Sequence, residues 1–258
     1  MGIMGLGDNL ESVSALFPAF NDAVTIGGLV EKTFNLLRST GRNFEILVVN
    51  DGSTDQTADV LRQLQIRYDG VLRVIHHPVN RGYGAALRSG FAAACKDLVF
   101  YTDGDGQYDP GELTLLLDRL EPRLGLVNGY KIKRHDPLYR VFIGKIYNAF
   151  VRALFHIRVR DVDCDFRLMR RSLLARTSLH SETGAICVEL LQELESLGCE
   201  VANVPVHHYP RVAGRSQFFR LSSVFATLSQ LGRLYFRRRA SRRSSAAELL
   251  DPIQNDHR

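Results

Sequence analysis

Short apolar runs alternate with amphipathic helical segments through the first 120 residues, and this rhythm restricts the possible folds most strongly. The run 44–49 (FEILVV) is almost continuously apolar, as expected for a parallel strand that is buried on both faces. In 24–37 the apolar residues recur at helical spacing. Alternation of this kind predicts βαβ units, a parallel sheet and functional loops at the carboxyl ends of the strands.

The same patterns predict the other elements. Strands are expected at 12–17, 71–76, 98–102, 166–169 and 200–208, and helices at 53–67, 82–95, 109–120, 138–156 and 185–197. Pro18 is expected to end the first strand. Capping-box spacing, Ser53 with Gln56 and Asp109 with Glu112, is expected to open two of the helices. Strand 200–208 is predicted to be edge-like because Pro205 interrupts it.

Charge is unevenly distributed. The net charge is +5, but 211–243 contains nine arginines and no acidic residue, so the remaining chain is mildly acidic. A nucleic-acid enzyme more often spreads basic charge along a groove, so no nucleic-acid partner is expected. The four scattered cysteines favour reduced thiols in a cytoplasmic protein. No signal peptide is recognisable, and no run of about 18 apolar residues predicts a membrane-spanning helix.

The string Asp103-Gly-Asp105-Gly-Gln107 directly follows the strand LVFYT. In extended backbone, side chains at i, i+2 and i+4 point the same way, so three oxygen ligands would converge. Two carboxylates and an amide suit Mg²⁺ or Mn²⁺ shared with phosphate oxygens. The alternative is an acidic turn that caps the next helix.

Two further loops carry candidate nucleotide contacts. Asp51 ends the FEILVV strand, where a carboxylate can bind a base or ribose; the alternative is an ordinary Asx turn. The segment 80–86 (NRGYGAA) contains G-x-G, but Leu87 stands where a dinucleotide fingerprint has its third glycine. NAD or FAD binding is therefore disfavoured, although Gly82 still allows a ligand to approach closely.

Together with 18–22 (PAFND) after the first strand, these motifs resemble the family 2 glycosyltransferases of the GT-A fold. Within that family they are similar to the polyprenol-phosphate glycosyltransferases related to dolichol-phosphate mannose synthase. FPAFND resembles the family's IPAYNE, with Asp22 in place of the usual glutamate, and YTDGDGQYDP resembles D-x-D-x-Q-x-x-P. VVNDGSTDQT is also close to the family pattern. The resemblance covers about 12–220.

The resemblance implies a role for each matched residue. Asp103, Asp105 and Gln107 would hold Mg²⁺ or Mn²⁺ and the diphosphate, and the reaction would invert the anomeric carbon. Residues implied in nucleotide-sugar binding are Pro18, Ala19, Asn21, Asp22, Asp51, Gly82 and Asp103. RVAGRS resembles R-x-x-G-x-S, whose arginine, here Arg211, reaches the phosphates.

The acceptor side has its own matching string. DVDCDFRL (161–168) resembles D-x-x-x-D-F-R-L, which puts Asp165 beside the acceptor, as a base or as a positioning group. The alternative is a set of loop ion pairs with nearby arginines. Lys131, Lys133, Arg134 and Arg140 lie where the family binds the lipid phosphate; for each of them a solvated basic face is the alternative.

An apolar stripe recurs at helical spacing from Phe218 to Tyr235 and ends in arginines. This pattern is typical of an interfacial helix held by apolar burial and anionic lipid; the alternative is a helix packed on its own domain or on a dimer partner. We therefore expect a GT-A domain over 1–215, a peripheral membrane-surface helix over 216–239 and a disordered tail over 240–258.

The expected reaction is sugar transfer from a UDP- or GDP-sugar to polyprenyl phosphate at the cytoplasmic membrane face. One alternative is the same donor chemistry with a saccharide or another hydroxyl acceptor. Another is a non-catalytic nucleotide-sugar or membrane-binding module, against which both carboxylates of the D-x-D string argue. A nucleotidyltransferase is disfavoured because no glycine-rich, lysine-bearing loop lies near the N-terminus.

Overall fold

A seven-stranded sheet organises the computed structural model. The structure describes residues 10–132, 138–212 and 226–237, with the backbone alone at 138–140. The strands are β1 (Val13–Ala19), β2 (Phe44–Asp51), β3 (Leu72–His77), β4 (Leu98–Thr102), β5 (Leu124–Ile132), β6 (Phe166–Arg170) and β7 (Glu200–His207). Their order is β3-β2-β1-β4-β6-β5-β7. The first four are mutually parallel, β6 runs antiparallel to both of its neighbours, and β7 is parallel to β5.

Helices cover both faces of the sheet, as expected for βαβ units. They are α1 (Ile26–Ser39), α2 (Thr57–Arg67), α3 (Tyr83–Ala93), α4 (Leu113–Arg119), α5 (Leu138–Phe155), α6 (Arg171–Leu174), α7 (Ala185–Ser196) and α8 (226–237), with a 3₁₀ turn at Pro110–Glu112. The predicted α/β class and the mostly parallel sheet are confirmed.

Two hydrophobic cores follow from the alternation of side chains along the central strands. Leu16 of β1 and Leu47 of β2 pack into the core beneath α3, α5, α7 and α8. Their neighbours Phe17 and Val48 face the other core, beneath α1, α2 and α4. β2 is buried on both faces from Glu45 onwards, which explains why its sequence is almost continuously apolar.

Element ends differ from the sequence expectation where tertiary contacts intervene. β1 continues through Pro18, which pairs in register with Val49, so Pro18 does not end the strand. α2 begins at Thr57 and not at Ser53, because the Ser53 hydroxyl accepts a hydrogen bond from the Asn21 amide instead of capping a helix. The sequence reading missed β5 altogether.

The second expected capping box is half formed. Asp109 accepts a hydrogen bond from the Gly111 amide at 3.1 Å, as an N-cap should. The Glu112 carboxylate does not bond back to it, because it binds the backbone amide and ring of His207 at the end of β7. The first turn is consequently a 3₁₀ turn, and α4 follows it.

The helix α8 packs against its own domain. Leu231 and Leu234 are buried in the core that also holds α7, and the Tyr235 ring meets Phe155 of α5. Arg237 forms an ion pair with Glu189 at 2.9 Å. Packing on the domain, the alternative to an interfacial helix, thus describes 226–237. The rest of the expected membrane helix, including 216–225, and the tail at 240–258 lie outside the described residues.

Candidate functional site

Loops from three parallel strands meet at the carboxyl edge of the sheet. Asn21, after β1, has a left-handed backbone (φ 59°), which asparagine tolerates. Its backbone amide donates to the Ser53 hydroxyl at 3.0 Å, and its side-chain oxygen accepts from the Thr54 backbone amide at 2.8 Å. Asn21 thus joins the loop after β1 to the loop after β2.

The loop after β4 lies directly against the loop after β1. The Gly104 amide donates to the Pro18 carbonyl at 3.2 Å, and the Thr25 hydroxyl donates to the Gly104 carbonyl at 2.7 Å. A β-carbon at Gly104 would stand 2.7 Å from the Pro18 oxygen. Only glycine fits here, and this close approach brings Asp103 and Asp105 beside Asp22.

Four carboxylates share this edge, those of Asp22, Asp103, Asp105 and Asp165. The pKa values of the first three are raised. Burial raises the pKa of Asp22 to about 6, with Asp105 adding to the effect. Burial, followed by the charges of Asp165 and Asp105, raises the pKa of Asp103 well above its usual range. Burial also raises the pKa of Asp105, although Arg211 and the Gln107 amide oppose it. The edge therefore carries more negative charge than its own cations neutralise.

Arg211 is the cation on Asp105. Its Nη2 donates to Asp105 Oδ2, while Asp105 Oδ1 accepts from the Gln107 backbone amide at 2.9 Å. The Gln107 side chain donates to the Tyr209 carbonyl at 3.2 Å, and the Tyr209 amide returns a bond to the Gln107 carbonyl at 2.8 Å. The segment after β7 is thus tied to the D-x-D loop. A metal-ligating role for Gln107 stays a prediction.

Asp165 stands between the D-x-D loop and a buried arginine. Its Oδ1 accepts hydrogen bonds from Tyr101 at 3.3 Å, Arg167 at 3.1 Å and Cys187 at 3.1 Å. All these bonds reach one oxygen, so Oδ2 has no hydrogen-bond partner among the described residues. Asp165 therefore combines the ion pair that the sequence offered as an alternative with an oxygen available to a ligand.

Arg167 is the part of this site that sequence reasoning missed. It is fully buried, and it donates to the side chain of Asn128 at 2.7 Å and to the Val162 carbonyl at 2.5 Å, besides Tyr101 and Asp165. A buried guanidinium needs such a complete set of acceptors. The only available signal was its position directly after Asp165-Phe in the quoted DFRL string.

The Asp51 carboxylate binds neighbouring groups of its own chain. Its Oδ1 accepts from the Arg81 amide at 2.9 Å and meets His77 Nδ1 at 2.6 Å, and its Oδ2 accepts from the Gly82 amide at 2.9 Å. The carboxylate is buried and fixes the entry to α3. This arrangement is a loop brace, as the turn alternative suggested, and a nucleoside contact by Asp51 stays a prediction.

Space beside the start of α3 is filled by the loop 181–182. The Gly84 amide donates to the Glu182 carbonyl at 2.9 Å, and a β-carbon at Gly84 would lie 2.1 Å from the Ser181 oxygen. The close approach expected for a ligand near Gly82 is made here by the protein's own backbone. The next residue, Tyr83, donates to Asp103 Oδ1 at 2.8 Å, a contact that the sequence did not indicate.

The predicted acceptor-phosphate residues are only partly described. Lys133 and Arg134 lie outside the described residues, and Arg140 lies in the first turn of α5 with its backbone alone described. Lys131, at the end of β5, donates to the Asp163 carbonyl at 2.5 Å. The structure therefore brings Lys131 close to the acceptor-side aspartates and gives no geometry for the other three side chains.

The donor set fits a hard divalent cation. No three His, Cys, Asp or Glu side chains surround one point within the described part of the chain. Mg²⁺, however, is usually held by only one or two carboxylates, with water and substrate phosphates completing its coordination. The excess negative charge around Asp103 and Asp105 matches that chemistry. These two residues are therefore the candidates to hold Mg²⁺ or Mn²⁺.

This strand order, with an acidic loop beyond β4 at the carboxyl edge, defines the class of the protein as a GT-A-type nucleotide-binding fold. The family model described as glycosyl transferase family 2 matches residues 14–177. The chain belongs to this family. The resemblance inferred from the motifs is thereby confirmed.

Curated relatives extend the similarity beyond the family model. Undecaprenyl-phosphate 4-deoxy-4-formamido-L-arabinose transferases of Salmonella typhimurium and Salmonella paratyphi A are each 27% identical to the chain over 211 residues. The match covers 81% of this chain and 63% of each relative. The chain thus spans less than two thirds of the length of these relatives.

Solved structures share the fold. Glucosyl-3-phosphoglycerate synthase of Mycobacterium tuberculosis with Mn²⁺ and UDP-glucose has a TM-score of 0.65 at 19% identity, covering 90% of this chain and 82% of that one. The same enzyme with Mg²⁺ and UDP has a TM-score of 0.63 at 19% identity, covering 84% and 78%. At this identity the likeness concerns the fold.

Proposed function

We propose that the chain is an inverting glycosyltransferase. It moves a sugar from a UDP- or GDP-sugar to polyprenyl phosphate at the cytoplasmic face of a membrane, to which it attaches peripherally. The observation that carries this proposal is the meeting of Asp22, Asp103, Asp105 and Asp165 with Arg211 at one edge of the sheet. The undecaprenyl-phosphate transferases among the relatives support the choice of acceptor.

On the donor side, each residue has a distinct task. Asp103 and Asp105 hold the divalent cation, which, when bound, offsets the charge of the diphosphate. Arg211 stabilises the departing diphosphate, because a guanidinium offers several hydrogen-bond donors in a fixed plane. Tyr83 orients Asp103 through its hydroxyl.

The nucleoside is framed by the backbone at the carboxyl end of β1. Pro18, Ala19 and Asp22 form the wall beside the D-x-D loop. Asn21 holds that wall to the loop after β2. Asp51 supports the site indirectly, by fixing the Arg81 and Gly82 amides at the start of α3.

On the acceptor side, Asp165 presents Oδ2 while Arg167 and Tyr101 hold Oδ1. A phosphate monoester has a second pKa near 6 and is largely dianionic at neutral pH, so it needs no base. Asp165 then positions the acceptor opposite the leaving diphosphate, and basic residues near Lys131 offset the phosphate charge. A hydroxyl acceptor would instead require Asp165 to remove its proton.

Thermal denaturation with Mn²⁺ and a panel of UDP- and GDP-sugars tests the donor assignment. At 100 times its Kd a ligand stabilises the native state by about 2.7 kcal/mol, or about 5–10 °C for a domain of this size. Asp105→Asn should lose that shift and abolish transfer. Asp59→Asn, an exposed carboxylate in a surface ion pair with Arg62, is the matched control. A wild-type shift in Asp105→Asn would contradict the metal assignment.

An acceptor assay tests the second half of the proposal. Purified chain, metal and the donor that stabilises it are offered washed polyprenyl phosphate or a saccharide. Transfer to the lipid phosphate is expected. Transfer to the saccharide alone would show that the donor chemistry is right and the acceptor wrong.

A further inference from the structure

Helix α5 exposes a continuous apolar stripe. Phe142, Ile143, Ile146 and Phe150 are between 55% and 65% exposed. Positions i, i+4 and i+8 lie on one face of a helix, so these side chains form one surface. Scattered exposed apolar residues are common, but a contiguous patch of large ones marks an interaction site.

The stripe lies in a strongly basic part of the sequence. α5 contains Arg140, Lys145 and Arg152 and no acidic residue. The wider segment 131–160 has eight lysines or arginines against one acidic residue, Asp136. An apolar stripe flanked by cations complements an anionic bilayer surface, where apolar burial and attraction to lipid headgroups act together.

The opposite face of α5 is anchored beside the acceptor carboxylate. Asn148 donates to the Arg160 carbonyl at 3.0 Å and accepts from the Val162 amide at 2.9 Å. This loop leads directly into Asp165. Val151 and Phe155 are fully buried in the core. The helix that carries the exposed stripe therefore also braces the acceptor loop.

We propose that α5 is the membrane-docking element of this chain, with its stripe of Phe142, Ile143, Ile146 and Phe150 placed in the headgroup region of an anionic bilayer. The choice of a membrane as the partner rests on the proposed function. The described part of α8 serves this role less well, because its Leu231 and Leu234 are already buried against the domain. Docking through α5 brings the Asp165 loop next to the lipid surface from which the acceptor phosphate projects.

Cosedimentation with vesicles containing about one third anionic phospholipid tests this inference. The triple variant Phe142→Gln, Ile146→Gln, Phe150→Gln should partition to vesicles at least about 100-fold more weakly, since each large apolar side chain removed from the interface is worth about ten-fold. The substituted side chains are exposed, so the melting temperature should stay close to that of the wild type.

A matched control carries Leu10→Gln, Ile66→Gln and Leu115→Gln, three exposed apolar residues that lie before β1, on α2 and on α4. This control should bind vesicles as the wild type does. Equal vesicle binding by the α5 variant and the wild type would overturn the inference. So would a wild-type dimer that the α5 variant converts to a monomer in the absence of lipid, because the stripe would then face a second copy.

Donor and acceptor assays separate this inference from the proposed function. The α5 variant should keep the donor-dependent thermal shift and the transfer to a short, water-soluble polyprenyl phosphate, and should lose transfer to vesicle-embedded lipid. If no polyprenyl phosphate is glycosylated but the α5 variant still loses vesicle binding, the docking surface stands and the acceptor assignment fails.

Discussion

Replacing Arg167 by methionine should strongly destabilise the protein, because the guanidinium is fully buried and fully engaged. Arg167→Met leaves Asn128 Oδ1 and the Val162 carbonyl without their donors, at about 1–3 kcal/mol for each buried unsatisfied group. It also removes the counter-ion of Asp165. Breaking a buried ion pair from one side costs about 3–5 kcal/mol, which is a large share of a typical stability of about 5–15 kcal/mol.

Urea unfolding followed by far-UV circular dichroism measures this loss, since the chain has no tryptophan. Arg123→Met is the control: this arginine forms ion pairs with Glu121 and Glu200 at 62% side-chain exposure, and such surface pairs are worth about 0–1 kcal/mol.

The double variant Arg167→Met, Asp165→Asn distinguishes an unpaired charge from lost packing. It should be more stable than Arg167→Met alone, with a coupling of about 0.5–3 kcal/mol. A free energy of unfolding for Arg167→Met within 1 kcal/mol of the wild type, on the scale set by a buried pair, would refute the reasoning.

Two further substitutions probe single contacts. Burial raises the pKa of Glu45, but hydrogen bonds led by that of Ser14 outweigh burial and hold this pKa below its usual value. The stabilisation that these bonds give is fully present above the unfolded pKa and is lost as pH falls through the folded pKa. Glu45→Gln should therefore flatten the loss of urea resistance as pH falls from about 5 to about 3; an unchanged slope would contradict this. Gly84→Ala should lower the melting temperature, because its new carbon would lie 2.1 Å from the Ser181 oxygen, whereas Gly28→Ala meets nothing within 4 Å; equal melting temperatures would exclude the clash.

Elements that are dictated by local patterns could be predicted. β2 and β4 are short apolar runs buried on both faces, and their residue types alone predict that burial. β5 was missed because LGLVNGYKI mixes glycines and an asparagine into the run. The antiparallel insertion of β6 between β4 and β5 depends on long-range pairing, for which a single sequence carries no periodic signal.

In the candidate site, too, local patterns could be predicted from the sequence and long-range contacts could not. Motif spacing indicated that Asp22, Asp51 and Asp103 lie at the carboxyl ends of strands, and each of them does. It could not show which partner each side chain would find. Ser53 has the spacing of a helix cap, yet its hydroxyl accepts a hydrogen bond from the backbone amide of Asn21, 32 positions away in the sequence. Tyr83 on Asp103 and Cys187 on Asp165 are contacts of the same long-range kind.

The carboxylates at the edge of the sheet also lower the stability of the native state. An acid whose pKa is raised by folding, such as Asp22 at about 6, destabilises the native state as pH rises above its unfolded pKa, and does so fully above its folded pKa. Three such groups, Asp22, Asp103 and Asp105, lie together because Gly104 lets two loops meet, and Arg211 neutralises only part of their charge. A divalent cation held by Asp103 and Asp105 would relieve this repulsion and would supply positive charge for a diphosphate. The repulsion that lowers the stability of the fold would then make donor binding and metal binding depend on each other.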